Sequence, residues 1–179
     1  MAKKQALREL QTRLAERLQA ARDQAPSASW LAVESGGLGF LFPLAEAGEI
    51  VTGASGLMRV PHTSRWFMGV ANLRGHLHGV VDFAVFLGLR RAGAGLDAPG
   101  RDQTCLIAFN SNLEINCALL VDRLSGLRSR EQLSVDEEAA AGPRPAFLNG
   151  VWRDAQGKRW HEVGLAALSG HESFLRIFE

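Results

Sequence analysis

After residue 28 this chain is written in short apolar pieces, and that feature narrows its fold more than any other. "WLAVES", "LGFLFPL", "GEIVTG", "FMGVANLRG", "HLHGVVDF", "TCLIAFN", "AFLNGVWRD" and "KRWHEVGL" follow one another, divided by glycine-bearing or charged turns. Pieces this short, rich in Val, Ile, Phe and Trp, read as strands rather than helices. Many short strands with few helices fit small barrels. The Gly36-Gly37 pair marks a first hairpin turn. "LEINCALLVDRLSGLR" reads as a strand or a pair of strands, "EQLSVDEEAAAGPRP" as an acidic loop, and "SFLRIF" as a last strand.

Two short helices interrupt the pattern. Asp82 is placed to cap a turn of helix over Phe83 to Leu87, which Gly88 would end, and "LAALSG" gives a second. The two stretches leading into these helices resemble each other. Phe67-Met68-Gly69-Val70 matches Phe147-Leu148-Asn149-Gly150-Val151, and each leads through a hairpin to an apolar helix ending at Leu87 or Leu168. An internal repeat of this kind predicts two similar small barrels. The glycine-rich, charged stretch "GLRRAGAGLDAPGRDQ" divides them. The expected organisation is a first barrel over residues 28–90, a linker over 91–103, and a second barrel over 104–179. Residues 1–27 stand apart. In residues 3–24, Leu7, Leu10, Leu14 and Leu18 recur at helical spacing, an amphipathic stripe expected to pack on the protein's own body, with docking to a partner as the alternative.

Composition removes several functions. Hydrophobic residues make up 46% and charged residues 22% of the 179, so the chain has the makings of a packed core and is not disordered. A net charge of +1 gives no electrostatic case for nucleic acid. No apolar run approaches the roughly 20 residues that span a bilayer, and "MAKKQALREL" has no apolar signal core. The expected place is the cytoplasm, without membrane insertion. Cys105 and Cys117 are then free, partly buried thiols. A three-residue turn centred on Ser111 would set them opposite one another on paired strands.

"GVANLRGHLHGVVDF" asks why an arginine, Arg74, lies in so apolar a stretch. Its glycine spacing fits neither phosphate-binding loop pattern. His76 and His78 share a strand face, but a metal centre needs three or four ligands, and nothing brings His161 or Glu162 to them. No nucleophile elbow or Cys-His signature is present, and Asp82 and Asp122 sit at strand ends where capping and turn roles prevail. No catalytic residue, cofactor or metal is expected. A small barrel binding RNA or oligosaccharide would need a basic groove with aromatic platforms, which a chain without Tyr and with near-neutral charge does not announce.

The stretch does resemble a known family. Gly69, Val70, Asn72, Leu73, Arg74, Gly75, Val81, Asp82 and Phe83 fall where the CheW chemotaxis adaptors carry their Gly-Val, Asn-Leu-Arg-Gly and Val-Asp-Leu signature. Glu49-Ile50, Val60-Pro61, "LLVDRL" (119–124) and "FLNGV" (147–151) match further family elements in order, so the resemblance runs from about residue 30 to the end. Gly79 stands where the family usually has Pro, and Phe83 where it has Leu. Trp66 before Phe67, the "VVDFAVFLG" ending and "KRWHEV" look like the branch attached to type IV pilus systems, the PilI proteins.

The resemblance implies a mainly β, CheW-like fold of two SH3-like five-stranded barrels. It implies a non-enzymatic adaptor with two partners. One is the cytoplasmic tip of a methyl-accepting chemoreceptor; the other is the regulatory domain of a CheA-type histidine kinase. Twitching motility is the expected output and flagellar chemotaxis the alternative. Arg74 matches the family arginine linked to receptor binding, with Glu49, Asn72 and Gly75 beside it. Glu49 and Arg74 are expected to pair across neighbouring strands, bidentately, so that Arg74→Ala costs both fold and binding. Ile50, Val51 and Val60 are the candidate apolar partner contacts. Asp82 and Gly69 are assigned structural roles.

Overall fold

The computed structural model describes residues 29–52, 56–93, 103–140 and 143–178. The expected N-terminal helix lies outside them, as does most of the expected linker. Eleven strands are present among the described residues: β1 (Ser29–Ser35), β2 (Leu38–Pro43), β3 (Ala47–Thr52), β4 (Phe67–Leu73), β5 (His76–Asp82), β6 (Cys105–Phe109), β7 (Cys117–Val121), β8 (Arg123–Ser129), β9 (Leu133–Val135), β10 (Leu148–Asp154) and β11 (Arg159–Val163). Four one-turn helices accompany them: α1 (Phe83–Phe86), α2 (Glu137–Ala140), α3 (Leu165–Ser169) and α4 (Glu172–Leu175).

The strands form two sheets, a mainly β fold with few helices. One sheet has the order β8-β1-β2-β11-β10-β9 and the other β3-β6-β7-β5-β4. The two orders share a plan. In each, a hairpin (β1–β2 or β6–β7) lies beside a second hairpin (β10–β11 or β4–β5), and the two meet through a parallel pair, β2–β11 or β7–β5. The repeated hairpins even share an irregularity. The register shifts between Phe67 and Gly69 in one and between Leu148 and Gly150 in the other. The internal repeat is therefore structural.

The strands are not divided between the sheets as the sequence order suggested. β1 and β2 belong with β8 to β11, and β3 to β5 belong with β6 and β7. Adjacency in sequence fixes only the hairpins. Which hairpins then meet is settled by burial of their apolar faces, which a linker does not dictate.

Alternation along the central strands explains the layering. Successive side chains on a strand point to opposite faces. On β1, Leu31 and Val33 enter a core shared by both sheets, while Trp30 and Ala32 enter a smaller one on the other side. On β6, Cys105, Ile107 and Phe109 enter the shared core, while Leu106 and Ala108 enter another small one. Such strands are buried on both faces, so they read as continuous apolar runs rather than an in-out alternation.

Three segments differ from their sequence reading. "EQLSVDEEAAAGPRP" contributes the edge strand β9 and the helix α2. "SFLRIF" contains part of α4 instead of a strand, with only an isolated bridge from Phe178 to Thr63. A helical turn there brings Phe174 into the shared core, stacked on Trp66 and Phe109 at ring separations of 6.0 and 6.1 Å. Cys105 lies opposite Val121, not Cys117, because the β6–β7 connection runs further than a three-residue turn. Both thiols are free and fully buried, and burial pushes Cys117 up to about 12.

Candidate functional site

β4 and β5 are joined by two residues, Arg74 and Gly75, between the facing pair Leu73 and His76. Their φ values are 48° and 91°. Two positive φ angles are what the tightest hairpin turns require. Gly75 adopts its angle freely, while Arg74 pays a penalty of about 1 kcal/mol for a left-handed backbone. Asn72 Oδ1 accepts a hydrogen bond from Gly75 N at 2.7 Å and closes the turn. Arg74 is thus a turn-tip residue rather than a strand residue.

Glu49 on β3 meets it. Arg74 Nε lies 2.6 Å from Glu49 Oε1. The expected pair exists, but not between neighbouring strands. β3 and β4 are the opposite edges of their sheet. Laid flat, four strand spacings would separate them by about 19 Å. The sheet must curl to bring them together. Met58, beyond β3, confirms the curl by exchanging two backbone hydrogen bonds of 2.8 Å with Val70 on β4. The ion pair runs through Nε, and the Arg74 side chain stays 81% exposed. An ion pair this exposed contributes about 0–1 kcal/mol. Its effect is to set the direction of the guanidinium while most of the side chain stays open to solvent.

Gly69 makes that curl possible. Its φ is 127°, and a Cβ there would lie 2.0 Å from Met58 O. Only glycine lets the β3–β4 connection lie this close against β4. The apolar candidates divide. Ile50 is exposed, Val51 packs against the small core under β4 and β6, and Val60 is half-buried.

Asp82 does cap α1: its Oδ1 accepts from Val85 N at 3.1 Å. It also does more. Arg90 Nη2 lies 2.9 Å from Asp82 Oδ2, and Arg90 Nη1 lies 2.5 Å from Asp122 Oδ1. Asp122 Oδ2 in turn accepts from Gly36 N, in the β1–β2 turn, at 2.8 Å. One arginine therefore clips the end of β5 to the turn of the other sheet. Burial opposes the charge on Arg90, and the bonds to Asp82 and Asp122 outweigh it, so its pKa is raised. Sequence reasoning missed Arg90, because it lies in a stretch that reads as linker and no spacing rule points from it to Asp122.

The remaining polar groups stay scattered. His76 is exposed, and His78 sets Nδ1 3.1 Å from His76 O. Among the described residues no three His, Cys, Asp or Glu side chains are grouped to hold a metal ion. What the geometry offers is a surface: a pinned turn with an exposed arginine and an exposed isoleucine near its partner glutamate.

The family model for the CheW-like domain matches residues 29–172, and the chain belongs to that family of adaptors. Protein PilI of Pseudomonas aeruginosa is 29% identical over 170 residues, which cover 92% of this chain and 88% of that protein. Among solved structures, the scaffolding protein TtCheW from Thermoanaerobacter tengcongensis superposes with a TM-score of 0.61 at 16% identity. That match covers 76% of this chain and 88% of TtCheW, and it carries the fold.

Proposed function

We propose that this chain is a non-enzymatic cytoplasmic adaptor. It couples a methyl-accepting chemoreceptor to a CheA-type histidine kinase in the chemosensory system that controls type IV pilus twitching motility. Family membership supports the adaptor role, and the likeness to PilI supports the pilus system over flagellar chemotaxis. No helix of the described residues is long and apolar enough to cross a membrane. In this reading the chain reaches receptor arrays by binding.

The observation that carries the proposal is Arg74. It is held at a left-handed turn tip by Glu49, yet its side chain remains 81% exposed. A fold has no use for an arginine so placed, whereas a partner carboxylate or carbonyl does. Asn72 and Gly75 form the turn that presents it, and Ile50, Val51 and Val60 are the proposed apolar contacts to the kinase. The test is a pull-down with the receptor's cytoplasmic tip beside a melting curve. Arg74→Ala is expected to lose receptor while its stability changes by no more than about 1 kcal/mol. Normal receptor capture by this variant overturns the assignment.

A further inference from the structure

β4 has two ends, and Arg74 stands just beyond one of them. The other end, about 20 Å away along six residue steps, opens on a cleft. Its volume is about 400 Å3, and its walls come mainly from residues 57–68 with α1 alongside. Leu57, Val60, Phe67, Met68 and Val85 supply apolar surface. Arg59, His62 and Arg65 line it as well. Among the described residues the only carboxylate in the lining is Asp82, which Arg90 already neutralises. Neither Arg59 nor Arg65 forms an ion pair among the described residues.

The wall is braced from behind. Ser64 N donates to Ile177 O at 2.6 Å, and Thr63 bridges to Phe178. Thr63 Oγ1 donates to Val60 O at 2.9 Å. Between these fixed points His62 is held at a φ of 56°. A non-glycine residue in that region costs of order 1 kcal/mol and persists only where its surroundings enforce it. A braced wall also loses little freedom on binding, which favours affinity.

We propose that this cleft is a second docking site, for an acidic peptide segment of a partner protein that carries apolar side chains beside its carboxylates. The unpaired guanidinium groups call for negative charge. The apolar floor calls for side chains that a free phosphate or a nucleic-acid backbone does not have. The site rests on the adaptor reading only in needing a partner other than the one at Arg74. Two sites at opposite ends of one strand let both partners bind at once.

The test uses the full chain and a fluorescein-labelled heptapeptide of alternating glutamate and leucine, with a glutamine-for-glutamate counterpart as control. The acidic peptide is expected to bind at least tenfold more tightly than the control, and to weaken as salt rises. Amide chemical-shift changes are expected to centre on residues 57–68 and Val85. Arg59→Gln combined with Arg65→Gln is expected to cost at least tenfold in affinity, whereas Arg144→Gln, at an exposed site outside the lining, changes nothing. Both arginines in the double variant are exposed and form no ion pair among the described residues, so the variant should fold. Equal binding of the two peptides, indifference to the double variant, or no binding at millimolar peptide overturns the proposal. Any of these outcomes, with receptor capture still lost in Arg74→Ala, removes the second site and leaves the adaptor reading standing.

Discussion

Replacing Gly69 with alanine is the sharpest perturbation of the frame that presents Arg74. Its φ of 127° is one that L side chains rarely adopt, and the added Cβ would meet Met58 O at 2.0 Å, Met58 C at 2.8 Å and Arg59 Cα at 2.9 Å. All three are backbone atoms, so no side-chain rotation relieves the contact. The β3–β4 connection must move away from β4. That breaks both Met58–Val70 hydrogen bonds, each contributing about 1 kcal/mol. The backbone angle adds about 1–2 kcal/mol. The total expected loss is about 3–4 kcal/mol. Urea denaturation measures it, with Gly75→Ala as the internal comparison. Gly75 also has a positive φ but nothing within 4 Å of a Cβ, so its variant should lose only about 1–2 kcal/mol. Equal losses in the two variants would refute the close-approach argument, because only the angle would then matter. A Gly69→Ala protein within 1 kcal/mol of the parent would refute the whole account.

Two further predictions concern charge. Arg90→Met leaves Asp82 and Asp122 without their shared cation, and their partial exposure tempers the cost to about 2 kcal/mol, measured by the same denaturation. Hydrogen exchange should rise at Gly36, whose amide bonds to Asp122, while amides in the shared core stay protected. Asp136 governs behaviour in acid. Arg153 and Arg159 face each other across β10 and β11, and both bond to Asp136 Oδ2, which lowers its pKa to about 2. A carboxylate depressed in the folded state stabilises fully above the unfolded value of about 4, and that stabilisation is lost as the pH falls toward 2. Asp136→Asn should therefore flatten the fall of melting temperature between pH 4 and 2; an unchanged slope would show that other carboxylates control it.

Local chemistry was the legible part of this chain. Gly36-Gly37 announced a hairpin and Asp82 a cap, because glycine and aspartate act on their nearest neighbours. The repeat of Phe67–Val70 in Phe147–Val151 was legible because the same bulged hairpin occurs twice. The pairing of Glu49 with Arg74 came only through the resemblance, and even then with the wrong geometry. Nothing in the spacing says that β3 and β4 are edges brought together by a curl. Arg90 and the sheet assignment of β1 and β2 were illegible for the same reason: their partners lie far along the chain. Gly79 is an intermediate case. Where the family usually has Pro, Gly79 N donates to Asn116 O at 2.9 Å, a bond proline cannot make. The departure is thus matched by a hydrogen bond to a residue 37 positions further along the chain.

The interleaving of the two sheets also bears on how the chain is made. The β1–β2 hairpin leaves the ribosome first among the described strands, yet its parallel neighbour β11 begins only at Arg159. At roughly 5–20 residues per second, that hairpin waits on the order of ten seconds with Trp30 and Leu41, which pack with Leu133 and Trp160, uncovered. Meanwhile β3 to β7 can complete the other sheet, since all five of its strands lie before Asp122. Nascent chains stalled soon after β7 emerges would hold one finished sheet and one orphaned hairpin. The order of synthesis thus makes the sheet bearing Arg74 the earlier of the two, and the sheet built around β1 the point where a slow cell meets aggregation.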